Sequence, residues 1–462
     1  MSRFFTYRSL DDLRADVDAR GVDVRLAARP DALLAPATIG GRAVGNRLAV
    51  HPMEGCDGTP DGRPGELTFR RWQRFGAGGA KLIWGEATAV VPEGRANPRQ
   101  LLLTPETAPD FARLLETARA AHRARFGRDD DLLVGLQLTH SGRWSHPQPL
   151  LARHAPPLDA IKHLGPDEPL LDDAYLEQLE ERFADAAALA HEIGFDFVDL
   201  KQCHTYLLNE LLASRTREGR YGGSFEGRTR FVRNVLDKIR ERAPGLMLAS
   251  RVNVYDGLPF DAEGEPAVEG PYPWGFGTDE ADPGRADLDE PLRLIGLLRE
   301  HSVAMVNVTM GSPYFNPHVG RPFERPPVDG YGAPEHPLAG VERHLRATAA
   351  VQQAYPDLTV VGTGYSWLRQ YAALAGAASA EQGRVSIMGL GRGALAYPDF
   401  AADLMEHGEM IDRKSCIGVS YCTALMRAKG NDLGQFPAGC VPRDPLYAAE
   451  LKQTGLLAHA VS

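Results

Sequence analysis

Cysteine is scarce in this chain. Its five residues (Cys56, Cys203, Cys416, Cys422, Cys440) among 462 form an odd, scattered set, which excludes the paired framework of a small secreted domain. Long apolar runs are missing too, and none approaches the roughly 18 residues a membrane span requires. Positive charge is in deficit, 51 Lys and Arg against 61 Asp and Glu, giving a net charge of −10. Such a surface does not attract nucleic acid or anionic membrane as a whole. No block of like charge forms a binding tail. The opening stretch MSRFFTYRSLDDLRADVDARG lacks an apolar segment and turns acidic at once, so no signal peptide is expected. A cytoplasmic protein acting on a small molecule, without nucleic-acid or membrane partners, is the expectation.

What is present suits a large packed core: hydrophobic residues make up 43% and charged residues 24%. Glycine (48) and proline (34) are plentiful, as chains with many short strand-to-helix turns require. Short apolar runs recur, each followed by a turn signal and a longer amphipathic stretch, the rhythm of βα units on a parallel sheet. Strands are expected at 47–52, 80–87, 132–138, 195–201, 247–252, 303–309, 358–362 and 384–389. Eight such units predict an α/β fold, a (β/α)₈ TIM barrel with its site at the C-terminal strand ends. The alternative, a doubly wound open sheet, lacks the expected Gly-x-Gly-x-x-Gly after the first strand. The predicted organisation is an N-terminal extension (1–40), a barrel (41–404) and a C-terminal extension (405–462) packed on it. Pro/Gly/Asp-rich insertions at 139–173 and 253–290 fall where loops shape substrate pockets.

Polar residues stand at strand ends where a purely structural barrel has no need of them. Gln137 ends the third strand, Arg251 ends the fifth, and Lys201 and His204 follow the fourth. GTG (Gly362–Gly364) follows the seventh strand and GLGRG (Gly389–Gly393) the eighth. Glycines let backbone approach a ligand closely, and the loops after strands seven and eight are the usual phosphate site of a barrel. Singly each is an ordinary turn; in succession they point to a phosphorylated cofactor. Plain structural readings stand beside these: Gln137 capping a strand, Arg251 pairing with a barrel acid, Arg392 neutralising a helix, Pro52 ending a strand.

Five segments, NRLAVHPM (46–53), GEATAVVPEGR (85–95), QLTHSGR (137–143), CHTYLLNELLASRTREGRYGGSFEGRTRF (203–231) and MGLGRGALAYPDF (388–400), occur in one order. Together they resemble the Old Yellow Enzyme family of NADH:flavin oxidoreductases, over roughly residues 35–405. The resemblance implies FMN as cofactor, NAD(P)H as reductant and, by analogy, a homo-oligomer. It implies that Pro52, Met53 and Ala87 line the flavin ring, and that Gln137 bonds its pyrimidine edge. Arg251 corresponds to the cation near flavin N1 and O2, where negative charge develops on reduction. Gly364, Gly391 and Arg392 match the phosphate-binding positions.

On the substrate side, the resemblance implies two side chains three apart that hold a carbonyl oxygen, and a tyrosine that donates a proton. Here these are Lys201, His204 and Tyr206. Donors at the oxygen act where charge appears in the transition state, and a positioned tyrosine protonates the α-carbon. Lys201 departs from the family's usual histidine and favours a carboxylate or a strongly polarised carbonyl. Its alternative role is to pair with Glu54 or Glu86. Glu54 is the second departure: a carboxylate beside the ring opposes its reduction unless protonated or paired, so an ion pair with Lys201 is expected. His140, Arg143, Trp144, Tyr314 and His318 are candidates for pocket shape without an assigned role. Cys56 and Cys203 read as buried thiols.

The segment RKSCIGVSYCTALMRAKGNDLGQFPAGC (413–440) resembles the iron–sulfur segment of dienoyl-CoA reductases and trimethylamine dehydrogenase. A [4Fe–4S] cluster needs four thiolates. Val419 and Thr423 occupy two of the ligand positions and Cys422 is displaced by one, so neither a cluster nor any other metal is expected. The segment reads as a remnant packed on the barrel. The reaction implied is hydride transfer from NAD(P)H through flavin to an activated C=C bond. The alternatives are an amine-type dehydrogenase and a flavin-binding protein with a drifted site.

Overall fold

A computed structural model describes residues 3–456; residues 1–2 and 457–462, at the tips of the two expected extensions, lie outside the described residues. A short antiparallel hairpin, β1 (Ala37–Ile39) and β2 (Arg42–Val44), precedes the barrel. The barrel strands are β3 (Leu48–Val50), β4 (Leu82–Ala89), β5 (Leu133–Thr139), β6 (Phe197–Leu200), β7 (Met247–Asn253), β8 (Val303–Thr309), β9 (Thr359–Gly362) and β10 (Ile387–Leu390). All pair in parallel, and β10 closes on β3. The predicted (β/α)₈ barrel is thus the observed fold, with one strand inside or overlapping each of the eight apolar runs. The strands are apolar on both faces because helices cover the outside while side chains fill the inside.

The surrounding helices end where their sequence tells them to. Asp173–Ile193 starts at Asp172, whose carboxylate accepts from the Tyr175 N–H, and stops at Gly194 with φ 104°, a left-handed turn that favours glycine. The helix buries Leu176, Leu179 and Phe183, an amphipathic stripe facing the sheet.

The hairpin spans the expected 40/41 boundary and stoppers the N-terminal mouth: Ile39 and Val44 pack with Leu82, Leu133, Phe197, Met305, Val361 and Ile387. Between β4 and β5 the register shifts between Trp84 and Ala87, which brings Ala87 opposite Gln137. Such a bulge re-aims the side chains beyond it. Long connections follow β5, β7 and β8 on the C-terminal side; the third of these, 310–336, was not foreseen. No helix of the described residues is long and apolar enough to cross a membrane.

Candidate functional site

At the C-terminal end of the barrel lies a cleft of about 1130 Å³. It brings together all twelve residues expected to meet cofactor or substrate: Pro52, Met53, Glu54, Ala87, Gln137, Lys201, His204, Tyr206, Arg251, Gly364, Gly391 and Arg392.

The tip of β6 supplies three of them. His204 and Thr205 both have positive φ, 63° and 56°, a conformation that side chains with a Cβ seldom adopt. It is held from outside. The Thr205 N–H donates to Asn209 Oδ1 at 2.6 Å, and Ser312 Oγ donates to the His204 carbonyl at 3.4 Å. Strain fixed in this way gathers at functional turns. The turn leaves Lys201 Nζ 3.6 Å from the centre of the Tyr206 ring, a cation over an aromatic face. Burial lowers the Lys201 pKa from its ordinary value. Burial, then Arg251 and Lys201, hold His204 well below the usual imidazole range, so its ring is neutral and carries one N–H. Burial and Tyr314 push the Tyr206 phenol up. Its hydroxyl lies 3.0 Å from that of Tyr314. The three groups are therefore an amine donor, a neutral imidazole donor and a protonated phenol.

In the middle of the cleft, Asp199 organises Gln137 and Arg251 from below. Its carboxylate accepts from Trp84 Nε1 at 2.7 Å, Gln137 Nε2 at 2.6 Å and the Arg251 backbone N–H at 2.7 Å. Because Asp199 occupies the amide nitrogen of Gln137, the carbonyl end of that side chain is left as an acceptor for a ligand N–H. The Arg251 guanidinium makes one long bond, Nη2 to Thr309 Oγ1 at 3.5 Å, and its buried Nε has no protein acceptor.

Glycine loops form another part of the wall. Gly364 has φ 101°, and a Cβ there would meet His344 Cβ at 2.6 Å. A Cβ on Gly389 would lie 2.2 Å from the ring of His51, which fills the barrel beneath this loop. Arg392 donates from Nη2 to the Pro322 carbonyl at 2.8 Å, and its buried Nη1 has no acceptor. Flavin mononucleotide fits this arrangement. Arg251 Nε and Arg392 Nη1 are buried without acceptors, which a pyrimidine edge and a phosphate would supply, and buried donors are costly unless bonded.

The expected ion pair between Lys201 and Glu54 is corrected by the structure. Glu54 Oε1 instead accepts from Asn97 Nδ2 and lies 3.8 Å from Cys56 Sγ. Burial raises its pKa and the nearby Lys201 lowers it, the first effect being larger. Glu86 is taken as well: it accepts from Arg71, from Trp72 Nε1 at 3.2 Å and from the Gly55 N–H at 3.0 Å. Lys201 therefore turns to the tyrosine ring, with no carboxylate bonded to it among the described residues.

Of the five pocket-shaping candidates only Tyr314 lines the cleft. Trp144 backs it, stacked at 3.9 Å and 9°. Arg143 is buried against Asp159 and Glu210. His140 bonds Tyr175, and His318 bonds Tyr331. Cys56 and Cys203 are buried, the Cys203 thiol pushed up to about 11 by burial.

The C-terminal extension packs on the barrel and also reaches the cleft through Met426. Arg321 and His51 are among further lining residues that the sequence did not disclose. Cys416, Cys422 and Cys440 surround a separate small void that Arg392 and Val419 also line. Among the described residues, Asp403, Glu406 and His407 bring ligand atoms within 4.8 Å of one another, and the three sulfurs do not form such a group.

A family model described as NADH:flavin oxidoreductase / NADH oxidase matches residues 32–263. An NADPH dehydrogenase of Geobacillus sp. (strain WCH70) is 34% identical over 219 residues, covering 45% of this chain and 59% of that protein. The chain thus spans about six-tenths of the length of the curated relatives it matches. Two solved structures share the fold. A 2-naphthoyl-CoA reductase bound to 2-naphthoyl-CoA has a TM-score of 0.66 at 16% identity, over 91% of this chain and 58% of that one. An Old Yellow Enzyme homologue from Zymomonas mobilis has a TM-score of 0.58 at 18% identity, over 82% and 94%.

Proposed function

This chain belongs to the NADH:flavin oxidoreductase / NADH oxidase family, and from that premise we propose that it is an FMN-dependent, NAD(P)H-using reductase of an activated C=C bond. The observation that supports the reading is the set of groups lining one cleft: Gly364, Gly391 and Arg392, then Gln137 and Arg251, together with Lys201, His204 and Tyr206. When bound, FMN takes a hydride from the nicotinamide and passes a hydride to the substrate.

Everything else is the work of side chains. Lys201 and the neutral His204 hold the carbonyl or carboxyl oxygen and stabilise the charge that grows there as the β-carbon is attacked. Tyr206, whose phenol stays protonated, delivers its proton to the α-carbon. One hydride and one proton add across the double bond, and the tyrosine regains its proton from solvent.

The charge of the walls favours this reading over amine oxidation. Lys201, Arg251, Arg321 and Arg392 face the cleft against the single carboxyl of Glu54. An anionic or strongly polarised substrate suits such walls and a protonated amine does not. Five free cysteines agree with the reducing cytoplasm.

Anaerobic mixing of the FMN-loaded protein with NADH or NADPH tests the proposal. Rapid bleaching, followed by recovery of colour on adding an α,β-unsaturated carbonyl or carboxyl compound, is expected. Bleaching by an amine substrate alone would transfer the assignment to the dehydrogenase class, and bleaching by none of these would point to a binding protein.

A further inference from the structure

We propose that Arg321, aimed by Thr423 of the C-terminal segment, is a second guanidinium for the phosphate of the cofactor, so that the segment forms part of the cofactor seat. The inference rests on the reading of the cleft as an FMN site.

Arg321 lies in the long connection after β8, and its Nη1 donates to Thr423 Oγ1 at 2.5 Å. Thr423 belongs to a short helix, Tyr421–Arg427. Both Nε and Nη2 of Arg321 are buried without a protein acceptor. The neighbouring residue Pro322 supplies the carbonyl that anchors Arg392 Nη2 at 2.8 Å, and both arginines line the same cleft. The nearby acid Asp329 is committed to Arg427 at 2.6 Å. Burial, then repulsion from Arg392, holds Arg321 below its usual pKa.

Two half-buried cations whose buried donors lack acceptors, with no ion pair among the described residues, are costly. The arrangement suits a ligand that brings charge and several acceptor oxygens at once. A phosphate monoester carries about −1.5 to −2 charge and three strong acceptors, and two guanidinium forks match it. The glycine loops at 364 and 391 line the same cleft as both arginines. Thr423 acts through Arg321 as a positioning residue.

The test is equilibrium titration of the full chain, stripped of flavin, with FMN and with riboflavin, followed by quenching of flavin fluorescence. Arg321→Met is expected to weaken FMN roughly ten- to hundredfold, the cost of a hydrogen-bonded charge, and to leave riboflavin unchanged. Thr423→Val should produce a smaller loss in the same sense, and Thr423→Ser should restore it. The flavin-free Arg321→Met protein should melt no lower than the wild type, because a repulsion is relieved. An unchanged FMN-to-riboflavin ratio in Arg321→Met overturns the inference alone, as does an equal weakening of both flavins. A wild-type chain that takes up neither flavin overturns the cofactor reading and the inference with it.

Discussion

At the N-terminal mouth of the barrel, Ile39 and Val44 of the hairpin seal a plug of Leu82, Leu133, Phe197 and Met305, all apolar and buried. A few residues farther along the same strands the inward side chains are Gln137, Lys201 and Arg251, held by Asp199 and by a turn with two consecutive positive φ angles. One end is closed by packed, buried apolar side chains. The other keeps guanidinium nitrogens unbonded and buries titratable groups whose pKa values burial and neighbouring charges shift. Packing is spent on stability at the floor and surrendered for chemistry at the rim, the division expected of a barrel enzyme.

Substitutions at the two ends should therefore fail differently. Tyr206→Phe should have the largest effect, a loss of about 10²- to 10⁴-fold in turnover of an activated alkene, with flavin affinity and melting temperature unchanged. A melting temperature that fell with activity would mean the tyrosine is a wall and not an acid. Phe197→Ala removes a ring packed edge-on against Trp84 at 5.0 Å. It should cost about 3–5 kcal/mol of stability in denaturant unfolding, while the folded fraction keeps its FMN affinity; a selective loss of flavin would blur the contrast between floor and rim.

Lys201→Met is expected to slow the alkene reaction by about 10- to 100-fold and to change its pH profile. In the proposed mechanism the charged lysine is the active form. The wild-type rate should fall as pH rises through the Lys201 pKa, which burial places below that of an ordinary lysine, and the variant should lack that limb. Between the folded and unfolded pKa values the unfolded chain binds more protons, so wild-type stability rises with pH in that window. Below it the burial penalty is present in full. Stripped Lys201→Met should thus be no less stable than the wild type at neutral pH. An alkaline limb that survives the substitution would assign it to another group.

Much of the rim could be read from the chain because barrel strand ends are short, polar and interrupt apolar runs. Gln137, Arg251, Lys201 and the glycine loops stand out on that ground alone, and the eight strands follow from their apolar runs. What escaped came from chain segments with no period of their own. Arg321 lies in the loop after β8, and Thr423 and Met426 lie in a C-terminal helix read only as packing. The turn at His204 and Thr205 contains no glycine to announce its left-handed backbone, so the placement of Lys201 over the Tyr206 ring had no local signal. The expected partner of Lys201 was likewise lost to a distant residue, since Asn97 arrives from the connection after β4 to take Glu54.

The central claim is that the C-terminal strand ends together hold one flavin mononucleotide. Purified full-length chain, incubated with excess FMN and freed of unbound ligand, tests it by absorption spectrum and flavin-to-protein ratio. The account predicts a yellow protein with one equivalent of FMN; a colourless protein after that treatment would contradict it.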